Sequence, residues 1–231
     1  VKCFRDEDLR ADRQPEFTQL DIEMSFIDRN DIMEMIEGLI AKLFKDILDI
    51  DVPRPFPTIE YSQAMELYGH DAPDTRFGLH LKTINNMVEN CAFKVFADTV
   101  KNGGIVKAVN AKGAGKTFSR KILDELGEYV ASLGGKGLAY IKINDDGIQS
   151  PLVKNLGEEL TYEIIKVMEG QAGDIIFFGA GDATLVNLTL SKLRLKLGSM
   201  LGLIDPKQYN LVWVLDFPLL EWSQEDKRYV A

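Results

Sequence analysis

The chain has 231 residues, 45% of them hydrophobic, with 27 Lys and Arg set against 36 Asp and Glu for a formal net charge of −9. That apolar share is typical of globular domains and excludes disorder and collagen-like repetition. The acidic balance argues against a surface that coats nucleic acid, which needs Lys and Arg, although it permits a local basic contact with RNA. The length suits one large domain or two ordinary ones. No apolar run approaches the roughly 20 residues of a membrane-spanning helix, and the first residues lack the order of a secretion signal. Cys3 and Cys91 stand in no metal or redox spacing, so they read as reduced residues of a soluble, cytoplasmic protein. Two histidines, His70 and His80, are too few for a histidine-rich metal site. Val1 is not a start methionine, which suggests a piece of a longer protein.

In chain order, residues 16–26 alternate strictly. Leu20, Ile22, Met24 and Phe26 fall on one face, and Phe17, Gln19, Asp21, Glu23 and Ser25 on the other. Period two predicts a strand, with an aromatic followed by a row of acceptors on its second face. Lys2-Cys3-Phe4-Arg5 is its expected partner, so the two form an antiparallel hairpin. The charged loop 6–15 between them carries Arg10 and Arg13, and loops of this length are often functional.

Asp31 and Glu34 have capping-box spacing, and Ile32, Met35, Ile36, Leu39, Leu43 and Ile47 recur at helical intervals. Pro53, Pro55 and Pro57 close that helix. Thr58-Ile59-Glu60 starts a short segment, residues 61–68 read as a helix, and residues 69–74 read as a loop. A domain boundary is expected near Arg76. The middle of the chain is richer in glycine. Phe93-Lys94-Val95-Phe96, residues 104–109, 138–143 and 174–178 read as strands. Residues 119–133 and a long segment opened by Asp182 read as helices, and Ser150-Pro151 as a helix start. Lys192, Arg194 and Lys196 are most simply a solvated face. Gly113-Ala114-Gly115-Lys116-Thr117 lacks the earlier glycine of a phosphate-binding loop and reads as a plain glycine-rich loop. Asp145-Asp146-Gly147 is a turn without the later ligands of a calcium loop. His70 reads as a loop residue. Trp213-Val214-Leu215-Asp216-Phe217-Pro218 is a more apolar strand, assigned to the first domain resumed after an insertion.

Phe4-Arg5-Asp6-Glu7, Arg10, Arg13 and Gln14-Pro15-Glu16-Phe17-Thr18-Gln19-Leu20-Asp21-Ile22-Glu23 together resemble motif 2 of the class II aminoacyl-tRNA synthetases in their bacterial aspartyl form. Tyr68-Gly69-His70-Asp71-Ala72-Pro73-Asp74-Thr75-Arg76 resembles the segment leaving the catalytic domain in that family. Gly135-Lys136-Gly137-Leu138-Ala139-Tyr140-Ile141-Lys142 and Ile176-Phe177-Phe178-Gly179-Ala180 are similar to the insertion (GAD) domain shared with the tRNA-dependent amidotransferase. The fold implied is α+β, a partial antiparallel-sheet catalytic domain interrupted by a GAD-like α+β insertion. Residues 1–76 and 204–231 would belong to the catalytic part and 77–203 to the insertion.

The resemblance implies an aspartate–tRNA ligase as parent, forming aspartyl-adenylate from aspartate and ATP and passing it to tRNA(Asp). Magnesium would travel with ATP, and neither a resident metal nor a tightly bound cofactor is expected. Arg5 would hold the α-phosphate, Phe17 would stack on adenine, and Asp21 would receive the substrate ammonium. Gln19 lies between the last two and would contact ribose or the tRNA end. Glu7 and Arg10 would approach the acceptor stem, Glu7 on the nucleotide side also, and Arg13 would add a phosphate contact. Taken singly, each has a plainer reading: Arg5 in a solvated ion-pair cluster, Phe17 in a core, the acidic residues on a wet strand face. It is their joint spacing that favours the site. The family's third motif does not occur in this sequence, so the chain alone is expected not to catalyse, and the intact enzyme is expected to be a homodimer. The competing reading is a non-catalytic module that contacts tRNA or protein. A related asparaginyl or lysyl synthetase is a third, which the long insertion disfavours.

Overall fold

In the computed structural model, which describes residues 1–6, 13–223 and 226–230, the chain divides into two units, Val1–Phe56 and Pro57–Ala231. In the first, β1 (Lys2–Phe4) and β2 (Glu16–Thr18) form an antiparallel hairpin that pairs Lys2 with Thr18, Cys3 with Phe17 and Phe4 with Glu16. The expected strand over 16–26 is thus much shorter than its alternation suggests. In this register Gln19 exchanges backbone hydrogen bonds with Val1 at 2.8 Å each way. The face that alternation predicts to be buried is open, with Leu20 69% and Phe26 107% exposed.

Helix α1 (Arg29–Leu48) begins a turn before the expected box. Asp28 is the N-cap: its side chain accepts from the Asn30 and Asp31 N–H groups, while the Asp31 carboxylate accepts from the Asp28 N–H at 2.9 Å. The reciprocal pair is therefore Asp28 with Asp31, because Asp28 holds the extended backbone a cap requires. The apolar stripe is half-buried through Leu39 and becomes exposed at Leu43 and Ile47. The helix closes on Asp49 in the left-handed region. The proline segment after it is tied back by buried Glu37, which accepts from the Phe56 N–H at 3.0 Å.

In the second unit, β3 (Thr58–Glu60) leads directly into α2 (Tyr61–Tyr68). Gly69 caps that helix at φ +66, where a Cβ would lie 2.7 Å from the Asn187 carbonyl oxygen, so both its conformation and its space call for glycine. Then follow β4 (Leu81–Thr83), α3 (Asn85–Val88), α4 (Lys94–Lys101), β5 (Ile105–Ala111), the single turn α5 (Ala114–Thr117) and α6 (Arg120–Ser132). Next come β6 (Ala139–Asn144), β7 (Gly147–Gln149), the short α7 (Val153–Leu156), α8 (Glu158–Val167), β8 (Ile175–Gly181) and α9 (Ala183–Met200). Five strands form one sheet in the order β4-β5-β8-β6-β7, every neighbouring pair antiparallel.

Both faces of this sheet are covered. Ile175 and Phe177 on β8, with Val109 and Ala111 on β5, meet Leu123, Leu126 and Val130 of α6 and Val186, Leu190, Leu193 and Leu197 of α9. Their neighbours Ile176 and Phe178, with Val106 and Ala108, meet Val88, Phe96, Ile164 and Ile165 on the opposite side. A strand buried on both faces reads as a continuous apolar run, which is why Ile175-Ile176-Phe177-Phe178 shows no alternation. After the sheet, β9 (Trp213–Leu215) pairs in parallel with β3, and β10 (Glu221–Ser223) forms a hairpin with β11 (Arg228–Val230). The architecture is mixed α and β with an antiparallel sheet.

Three expectations are corrected in this unit. Phe93-Lys94-Val95-Phe96 is the start of helix α4, not a strand. Phe93, Phe96, Ala97 and Val100 follow helical spacing and pack inward, leaving Val95 57% exposed. The segment Gly113-Ala114-Gly115-Lys116-Thr117 is not a plain loop but carries the turn α5. Its amides are already used, Gly113 N–H donating to Asp174 at 2.8 Å and Gly115 N–H to the Gly173 carbonyl at 2.8 Å. Arg194 is not on a solvated face. It is 2% exposed and donates to the carbonyls of Phe77, Gly78 and Leu79 at 2.7–3.1 Å, its guanidinium 4.0 Å from the Phe77 ring centre and 4.7 Å from that of Tyr68. Burial pulls its pKa down to about 10, so it remains a cation at neutral pH, satisfied by three carbonyl oxygens and two aromatic rings. Lys107, 3% exposed, plays a similar part on α2: its ammonium donates to the Met65 carbonyl at 2.8 Å and pairs with Glu66 at 3.1 Å.

Candidate active site on the amino-terminal hairpin

The register of the hairpin decides which side chains share a face. Lys2, Phe4, Glu16 and Thr18 fall on one side, as the Lys2–Glu16 ion pair of 2.6 Å shows. Cys3, Arg5, Phe17 and Gln19 fall on the other. The Arg5 N–H donates to the Pro15 carbonyl at 2.9 Å, carrying the pairing one step past Phe4. On this face the Arg5 guanidinium carbon lies 5.4 Å from the centre of the Phe17 ring, a cation–π contact across the strands. Two pleats along, the Gln19 side-chain amide donates to the Asp21 carboxylate at 3.1 Å, and the Cys3 thiol lies 3.5 Å from the amide oxygen of Gln19. Phe17, Gln19 and Cys3 are half-buried, whereas Arg5 and Asp21 are exposed.

The candidates therefore form two contacting pairs on one side of the hairpin, Arg5 with Phe17 and Gln19 with Asp21, and Cys3 is the residue that joins the second pair to the strand. Arg13 is described and exposed. Glu7 and Arg10 lie outside the described residues. Cys3 was not among the residues the sequence singled out, although its parity with Arg5 in the chain was the available signal. Chemically, the face offers a planar cation beside an aromatic plane, then a carboxylate two pleats further on. That order suits a ligand with a flat base, a phosphate and an amine. Among the described residues, no group of three or more His, Cys, Asp or Glu side chains is placed to hold a metal ion.

The family model described as "tRNA synthetases class II (D, K and N)" matches residues 1–229. The chain belongs to that family. It is 49% identical over 232 residues to the aspartate–tRNA(Asp/Asn) ligase of Symbiobacterium thermophilum, and 49% identical over 231 residues to the aspartate–tRNA ligase of Macrococcus caseolyticus. Identity to the aspartate–tRNA(Asp/Asn) ligase of Aquifex aeolicus is also 49%. Each match covers all of this chain but only 39%, 39% and 38% of the relative. As a class II synthetase chain, it carries its candidate residues on a hairpin whose strands hold three ladder pairs.

Proposed function

We propose that this chain is the part of an aspartate–tRNA ligase that holds the nucleotide and the amino group of the amino acid. In the longer protein, one carboxylate oxygen of aspartate attacks the α-phosphorus of ATP, the bond to the bridging oxygen breaks, and pyrophosphate leaves with its electrons. Aspartyl-adenylate then passes its acyl group to the 3′ end of tRNA(Asp). The chain's residues do little covalent work in this scheme; they position the reactants and supply charge where it builds.

Arg5 neutralises the charge developing on the α-phosphate oxygens, Phe17 stacks on adenine, and Asp21 receives the substrate ammonium. Gln19 sits between them toward the ribose and the tRNA end. Glu7 and Arg10 face the acceptor stem, with Glu7 also on the nucleotide side, and Arg13 adds a phosphate contact. Magnesium arrives with ATP. Residues 77–203, which include the five-stranded sheet and its covering helices, form a GAD-like insertion. Residues 204–231 return to the catalytic part that residues 1–76 began, and the parallel pairing of β3 with β9 supports that return. The intact enzyme acts as a cytoplasmic homodimer.

The observation that carries the reading is the Arg5 guanidinium held 5.4 Å from the Phe17 ring on one face of the hairpin, in a chain whose full length aligns with relatives named aspartate–tRNA ligases. In the full-length protein, Arg5→Ala is expected to cut aspartate-dependent ATP–pyrophosphate exchange by about a hundred- to a thousandfold, the usual loss for one preorganised donor. Unchanged exchange in that variant, or exchange driven by an amino acid other than aspartate, would overturn the reading.

A further inference from the structure

We propose that Cys3 is a positioning residue for the amino-acid substrate, setting the Gln19 amide and through it the Asp21 carboxylate. This rests on the reading of Asp21 as the group that receives the ammonium. The Gln19 backbone exchanges both its hydrogen bonds with Val1, which fixes its place beside β1. Asp21 is exposed, and its carboxylate is held by the Gln19 amide at 3.1 Å. A carboxylate oxygen only accepts, so the NH2 end of that amide must face Asp21 and the oxygen end must face away from it. The Cys3 thiol lies 3.5 Å from that oxygen and supplies the donor, sharing its single hydrogen with the Val1 carbonyl at 3.8 Å.

Cys3 is paired across the strands with Phe17, so it is fixed by the most regular part of the hairpin. The relay Cys3–Gln19–Asp21 runs along one face of the hairpin through two side-chain contacts. The thiol touches neither nucleotide nor amino acid in this arrangement. It acts on amino-acid binding alone, because the adenine-stacking contact of Phe17 with Arg5 does not pass through Gln19.

The test is steady-state ATP–pyrophosphate exchange by the full-length ligase, with KM measured separately for aspartate and ATP. Cys3→Ala is expected to raise KM for aspartate roughly three- to tenfold, the weight of one hydrogen bond, with KM for ATP and the thermal unfolding midpoint held near the parent's. Cys3→Ser keeps a donor and is expected to recover most of the aspartate affinity. In a Gln19→Ala background, Cys3→Ala is expected to add nothing, since the relay is already cut. The proposal falls if Cys3→Ala leaves KM for aspartate unchanged, raises both constants equally, acts additively with Gln19→Ala, or is not rescued by serine. If the parent shows no aspartate-dependent exchange at all, or Arg5→Ala leaves it intact, the underlying reading of the hairpin fails instead, and the two failures are distinguishable.

Discussion

At the scale of single residues, Phe17 is placed by the backbone ladder and carries the Arg5 guanidinium over its ring. Phe17→Ala is expected to raise KM for ATP in the full-length ligase by on the order of tenfold to a hundredfold, from the ~1–3 kcal/mol of a base–aromatic stack. Phe17→Tyr keeps the ring and is expected to stay close to the parent; equal losses in the two variants would argue against stacking. The side of the hairpin on which Arg5, Phe17, Gln19 and Asp21 sit was legible in the sequence, because period two assigns faces without any knowledge of neighbours. The contribution of Cys3 was not. A half-buried thiol reads as a small apolar residue, and only the distance to Gln19 reveals it as a donor.

At the scale of elements, the misread cation on α9 is instructive. Val186, Leu190, Leu193 and Leu197 mark the buried stripe, and Arg194 lies at its centre by the same three-and-four spacing. Lys192 and Lys196 flank it, and together the three imitate a wet face. What the periodicity could not show is that the chain from Phe77 to Leu79 offers three carbonyls at that point. Arg194→Met is expected to destabilise the second unit by about 3 kcal/mol or more, since three buried acceptors lose a charged donor. Urea unfolding monitored by circular dichroism checks this, and a loss below 1 kcal/mol would show the carbonyls finding water instead. The misreading of Phe93-Lys94-Val95-Phe96 has a related cause: four residues fit either period, and tertiary contact with Phe178 decides.

Glu66 ties α2 to β4, accepting from the Thr83 N–H and hydroxyl at 2.8 Å each and pairing with Lys107. Burial pushes its carboxyl up, but the Thr83 hydrogen bonds and the Lys107 charge outweigh this and hold it below its ordinary value. The unfolded chain therefore takes the proton first as pH falls. The stabilisation is complete above the ordinary carboxylate range and drains as pH drops through the folded-state value. Glu66→Gln is expected to lower stability at neutral pH and to flatten the acid limb of the stability profile. Parallel profiles for the two proteins would contradict the coupling.

At the scale of the whole molecule, the second unit does not begin where the composition changes. Within that unit α2 meets α9 through Tyr68 against Arg194 and the sheet through Lys107 on the Met65 carbonyl. A polypeptide of residues 77–203 is accordingly expected to unfold at a lower denaturant midpoint than one of residues 57–231, because it loses the α2 groups that pair with Lys107 and the Tyr68 ring against Arg194. Coincident midpoints would place α2 outside the cooperative unit. The three central strands β5, β6 and β8 were readable as apolar runs, as were α6 and α9 with their caps Ser119 and Asp182, whereas the short strands β4 and β7 were not. Pairings between distant segments were not legible, and no local pattern joins β3 to β9.

That last pairing has a consequence for how the chain is made. Thr58–Glu60 leaves the ribosome about 150 residues ahead of Trp213–Leu215; at roughly 5–20 residues per second that is a wait of some ten to thirty seconds. During it the older strand lacks β9, its ladder partner among the described residues, while the sheet between them is still being made. The nascent polypeptide thus carries Ile59 without its β9 partner for most of the synthesis of this region, and the pairing can close only after the intervening sheet has been made.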